Sequence, residues 1–67
     1  MEAYQLRVVT EKSDLDERRK KLCAFIESEW FESLPVSECS RLSRQLVVMS
    51  DYSNILAQRI EAFVFES

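Results

Sequence analysis

The chain has 67 residues, of which 46% are apolar, with 9 basic against 12 acidic side chains for a net charge of −3. A chain this short supports at most one marginal core, and its apolar content is too high for a disordered tail. The absence of glycine excludes phosphate-cradling glycine loops, the absence of histidine removes the commonest general base and metal ligand, and the acidic balance argues against wrapping duplex DNA or RNA.

The first segment, from Ala3 to about Ser28, contains neither proline nor glycine and is expected to be a helix over about residues 3–28. Its N-terminal stretch has no long apolar run, so neither a signal peptide nor a membrane span is expected; a cytoplasmic location is. Val8, Leu15 and Leu22 occupy one heptad position, and Tyr4, Glu11, Arg18 and Phe25 the other, which makes the seam of this helix polar in its middle. The basic run Arg18-Arg19-Lys20-Lys21 spans one helical turn and radiates in several directions, with Asp14, Asp16 and Glu17 one turn earlier to balance it. An arginine at the Arg18 seam position requires an anion, either Glu11 one heptad back or a bound phosphate. Tyr4 read alone is a hydrophobic cap. Followed by Arg7, Lys12 and Arg18 on neighbouring faces, it has the composition nucleotides need: an aromatic to stack a base and cations to meet phosphates.

The sole proline, Pro35, marks the break. The residue before it is pushed away from helical backbone, so a turn is expected over about 29–36, with Pro35 in the first turn of a second helix and Ser33 or Ser37 as its cap.

The second helix is expected over about 37–65. Leu42, Leu46, Met49, Ser53, Leu56, Ile60 and Phe63 alternate spacings of four and three to form an unbroken seam with one small polar member. The fold class is therefore all-α: an antiparallel helical hairpin of two rods, each roughly 40 Å long. Val48, Tyr52, Ile55, Arg59 and Ala62 make a further row about a third of a turn away, widened by Val47 and Val64. One partner helix cannot cover two stripes, so the hairpin is expected to assemble into a symmetric homo-oligomer. Arg59 interrupts that row. It either pairs with a carboxylate of a neighbouring chain or, repeated about a symmetry axis, builds an anion site from a single residue.

No enzymatic chemistry is expected. Asp14, Asp16, Glu17, Glu27, Glu29 and Glu32 have no histidine or evident cleft to tune them, and Cys23 has no base. Cys23 and Cys39 form no CxxC pair, so no redox or metal site is expected, and no cofactor.

Read together, Tyr4-Gln5-x-Arg7-Val8-Val9-x-Glu11-Lys12, Leu15-Asp16-Glu17, Lys21-Leu22-x-Ala24-Phe25-Ile26, Phe31-x-Ser33-Leu34, Leu42, Gln45-Leu46, Met49, Tyr52-Ser53 and Leu56-x-x-Arg59-Ile60 resemble the phage anti-CBASS cyclic-oligonucleotide sponges, which share a helical hairpin domain with the Thoeris anti-defence sponges. The resemblance implies a homohexamer that binds cyclic dinucleotides such as cyclic GMP-AMP between protomers and withholds them from the host's CBASS effector in the host cytoplasm. Some members also hold cyclic trinucleotides on the symmetry axis. It implies that Tyr4 stacks on a base, that Arg18 meets the phosphate, and that Arg59 serves the axial site. Arg18 stands where lysine is expected and Arg19 where an apolar residue is expected, while the lack of the extra Thoeris domain makes cyclic ADP-ribose isomers the less expected ligand. The alternative is a hairpin whose seams serve protein–protein contact alone, as an adaptor or antitoxin-like partner.

The second apolar row predicts an obligate oligomer at micromolar concentration. Sedimentation equilibrium showing a fully folded species of only 7.9 kDa would contradict it.

Overall fold

A computed structural model describes residues 1–65, and in that span every element is helical: α1 Ala3–Ile26, a single turn α2 Glu29–Glu32, and α3 Val36–Phe65. Glu2 stands ahead of α1 in extended backbone, and its N–H donates to Gln5 Oε1 at 2.8 Å, which satisfies a donor that the first helical turn leaves open. At the other end the Ser28 hydroxyl donates back to the Phe25 carbonyl at 2.6 Å. Ser33 does the same to Trp30 at 2.6 Å. These serines therefore close helix ends, and Ser33 does not cap the helix that follows. Pro35 sits immediately before α3, where its carbonyl accepts the N–H groups of Glu38 at 2.9 Å and Cys39 at 3.0 Å; its own missing N–H costs nothing there. The connection expected to be a plain turn holds α2, whose Phe31 ring meets Phe25 edge to face at 6.4 Å. The Cys39 thiol donates to the Phe31 carbonyl at 3.3 Å, tying α3 to the same turn.

α1 and α3 pack antiparallel. Tyr4 touches Phe63 edge to face at 5.8 Å, Asp16 meets Ser53, and Arg19 meets Ser50, so residue numbers fall along α3 as they rise along α1. The molecule is a rod of 48 × 15 × 14 Å with a radius of gyration of 15.2 Å, against about 11 Å for a compact domain of this length. It exposes 5252 Å², where a compact monomer of its mass exposes about 4,400 Å². Among the described residues no helix is long and apolar enough to cross a membrane.

The α3 seam is the expected one: Ser53 and Leu56 are buried, and Leu42, Leu46, Met49, Ile60 and Phe63 are half-buried. Leu56 is fully inaccessible and packs with Val8 and Leu15 as the core. α1 differs. Val8, Leu15 and Leu22 face inward as expected, but their partners are Gln5, Lys12, Arg19 and Ile26, all half-buried, while Tyr4, Arg18 and Phe25 are exposed and Glu11 lies half-buried at the edge. From Val8, Leu15 and Leu22 a seam can continue by steps of three or of four, and the hairpin uses the step of four. That choice turns Arg19 inward and Arg18 outward.

The inward cations have a carboxylate waiting. Asp16 accepts hydrogen bonds from Lys12 Nζ at 2.7 Å, Arg19 at 2.8 Å and the Ser53 hydroxyl of the opposite helix at 2.6 Å. The hydrogen bond from Lys12, followed by those from Ser53 and Arg19, holds the Asp16 carboxyl well below the usual carboxylate range, with desolvation opposing them. Arg19 also donates to the Ser50 hydroxyl at 3.3 Å, and that hydroxyl donates to the Leu46 carbonyl at 2.9 Å.

Two expectations follow. Leu56→Ala, which opens a cavity at a fully inaccessible core side chain, should cost about 2–5 kcal/mol in denaturant titrations at fixed protein concentration. Because the folded-state pKa of Asp16 lies below its ordinary 3.8, its contribution to stability is fully present above that value and is lost as pH falls through it toward the folded pKa. Melting temperatures from about pH 6 down to about pH 3 should therefore fall less steeply for Asp16→Asn than for the wild type.

Candidate ligand-binding face

The helical phase of each residue and the register of the seam divide the rod into two sides. Asp16, Arg19, Lys20 and Cys23 of α1 share a groove with Leu46 and Ser50 of α3, which marks one side. On that side Lys12 lines a further groove with Asp16, Glu17, Lys20 and Ile60. Residues at the opposite edges of the two seams share the other side: Tyr4, Arg7, Glu11 and Arg18 from α1, and Val48, Tyr52, Ile55 and Arg59 from α3.

On this second side, Arg7 and Arg18 line one open groove of about 470 Å³ together with Leu6, Thr10, Glu11 and Asp14. They lie three helical turns apart, which returns them to the same face. Tyr4 continues the same stripe one turn earlier; its ring is half-exposed, with its edge held against Phe63. Stepping down α3 from Phe63, beside Tyr4, to Ser53, beside Asp16, brings Arg59 level with the stretch between Arg7 and Glu11. Arg18 lies roughly 13 Å further along the rod at 1.5 Å per residue. Residues far apart in sequence thus come to one side of the hairpin.

Among the described residues Arg7, Arg18 and Arg59 have no carboxylate within ion-pair distance, and neither do Lys20, Lys21 and Arg44, whereas Lys12, Arg19 and Arg41 each have one. Arg7 and Arg18 each have an acid one turn away in the same groove, Glu11 and Asp14, which stay beyond ion-pair distance. Asp16, at the edge of the seam, takes up Lys12 and Arg19, and Glu38 takes up Arg41 at 2.7 Å. Lys12, grouped by sequence with Tyr4, Arg7 and Arg18, is therefore not brought together with them. The anion expected for Arg18 at Glu11 is not in contact with it either, although both line the same groove.

Sequence reasoning missed two features. The first is the Asp16 centre, signalled only by the lone polar seam residue Ser53 and by an arginine at position 19 where an apolar residue was expected. The second is Tyr52, a half-exposed aromatic on the same side as the three arginines. What this side offers chemically is three free guanidinium groups, aromatic faces near both ends of the arginine row and apolar surface between them: a setting for an anionic, aromatic ligand or for a second protein.

No curated protein and no solved structure matches the chain. The family model described as Sequestin matches residues 2–62, a span that takes in α1, α2 and α3 as far as Ala62 and so includes every residue of this face. The chain belongs to the Sequestin family.

Proposed function

We propose that the protein is a non-enzymatic sponge that binds cyclic oligonucleotide second messengers and withholds them from the effectors of CBASS immunity. The observation that carries this reading is the gathering of Arg7, Arg18 and Arg59, none of them ion-paired, with Tyr4 and Tyr52 on one side of the hairpin. Guanidinium groups take phosphates in bidentate fashion, and aromatic faces stack bases whatever their identity. The family name points to sequestration, and the resemblance to anti-CBASS sponges supplies the ligand class. No bond is made or broken in this function, so no nucleophile, metal or cofactor takes part.

The exposed apolar row supports assembly. Val48 is 65% exposed and Ile55 54%, and a second copy seated there would cover them and place its own chain beside Arg59. In a homohexamer of this kind, cyclic dinucleotides bind between protomers at Tyr4, Arg7 and Arg18, and Arg59 copies converge on a cyclic trinucleotide at the axis. Although they share a side of the rod, Arg59 and Arg18 are far enough apart along it to reach different phosphates. Lys12 stays with Asp16 and serves the hairpin.

The same exposed row favours a second reading, an adaptor or antitoxin-like partner without a nucleotide ligand. Thermal melting separates the two. A cyclic dinucleotide at about 100 times its dissociation constant should add roughly 2.7 kcal/mol of stability, and a panel of cyclic oligonucleotides that leaves the melting curve unmoved favours the adaptor. Tyr4→Ala should cost roughly 1–3 kcal/mol of dinucleotide binding, and Arg18→Glu more, because it adds repulsion to the lost charge-assisted bond. Arg59→Ala should abolish trinucleotide binding and leave dinucleotide binding nearly intact in calorimetric titration. All three variants should keep their helicity by circular dichroism.

A further inference from the structure

The seams of both long helices repeat every seven residues: Val8, Leu15 and Leu22 on one, and Leu42, Met49, Leu56 and Phe63 on the other. Such seams fit nearly as well after sliding one heptad past each other, because an apolar residue then meets an apolar residue again. The connection does not forbid this. Residues 27–35, with α2 unwound, reach about 30 Å, whereas a one-heptad slide needs about 10 Å.

One pairing cannot be reproduced after a slide. In the observed register Asp16 accepts the Ser53 hydroxyl at 2.6 Å across the seam, and Ser53 is only 3% exposed. One heptad away in either direction Asp16 would face Leu46 or Ile60, the Ser53 hydroxyl would have only the carbonyls of its own helix to donate to, as Ser50 does, and Arg19 would trade Ser50 for Ser43 or Ala57. Losing a hydrogen bond to a carboxylate is costly, whereas apolar contacts are interchangeable. We propose that Asp16, through its hydrogen bond to Ser53, is the register pin of this hairpin and thereby a positioning residue for the arginine face.

The register decides where α3 delivers Arg59. In the observed one Arg59 lies level with the stretch between Arg7 and Glu11; a one-heptad slide carries it about 10 Å along α1, close to the level of Arg18 in one direction or ahead of Tyr4 in the other, and so changes its spacing from Arg7 and Arg18. The consequence for ligand binding rests on the sponge reading, but the register itself does not. A polar pair in an apolar seam that selects one arrangement at little gain in stability is a known physical device, and here it uses a carboxylate that two cations of its own helix keep ionised.

The test reads the register directly and needs no ligand. In a Cys23→Ser, Cys39→Ser background, spin labels are placed at the exposed positions Ala24 and Gln58 through cysteine substitutions, and labelled chain is diluted into unlabelled chain so that only the distance within one hairpin is measured. With Asp16 and Ser53 intact, one narrow distance is expected. K12L/D16L/R19L/S53A, which removes the two half-buried cations together with the carboxylate they pair with and so leaves the seam apolar, should retain its helicity yet show a second distance displaced by about 10 Å. D16N, which still accepts from Ser53, should keep the single distance. S53A alone, with the Asp16 ion pairs of α1 intact, should show the second population in smaller amount. A single native distance in both S53A and the quadruple variant overturns the proposal, as does unfolding of the quadruple variant, which would make the Asp16 centre a stability element and not a register element. A panel in which the register behaves as expected while no cyclic oligonucleotide binds would leave the pin standing and remove the sponge.

Discussion

A helix in a two-helix hairpin has one neighbour, and one neighbour can cover only one stripe. This limit shapes the molecule. The inward stripes supply a core of only Val8, Leu15 and Leu56, flanked by Met49, Ile60 and Phe63, and leave a rod that exposes more surface than a compact protein of its mass. Everything on the outer faces is available for other purposes: the Val48, Tyr52 and Ile55 row of α3, and the Tyr4, Arg7 and Arg18 stripe of α1. With so thin a core, a polar group inside the seam has disproportionate weight, and this seam buries Ser53, which donates to Asp16 at the seam's edge, where Lys12 and Arg19 also meet it.

The sequence made α3 legible because seven successive seam positions share one phase, and no other stripe on that helix is as continuous. It left α1 ambiguous. Three inward positions, Val8, Leu15 and Leu22, are compatible with partners on either flank, and the flank carrying Tyr4 and Phe25 is the more hydrophobic on inspection. The structure uses the other flank because its polar members satisfy one another around Asp16, so that Arg19 and Lys12 are tolerated inside while Arg18 is released. No pattern of hydrophobicity could show that, since it depends on a hydroxyl thirty-seven positions away. The serines near the break were misleading for a similar reason: Ser33 is suited to a cap by residue type, but its hydroxyl closes the turn behind it.

The candidate face was only partly legible. Tyr4, Arg7 and Arg18 share a stripe that sequence spacing alone defines, and the fold adds Arg59 to the same side through the antiparallel register, information that periodicity does not contain. The net charge of −3 says nothing of this face, where Arg7 and Arg18 share their groove with Glu11 and Asp14 and Arg59 joins them from α3. Guanidinium groups so interleaved with acids suit a small anion better than a long polyanion such as duplex nucleic acid. Membership in the Sequestin family fits a sequestering role, and the unpaired arginines and the uncovered apolar row are what the proposal of a ligand held between copies rests on.

A sponge, as proposed, holds its ligand and does not alter it. This is tested by incubating the protein with a cyclic dinucleotide, washing the protein free of unbound ligand, denaturing it, and analysing what is released by chromatography and mass spectrometry. The account predicts that intact cyclic dinucleotide is recovered in fixed proportion to protein chains. Recovery of linear or hydrolysed products, or of no nucleotide from a protein that is folded and assembled, would contradict it.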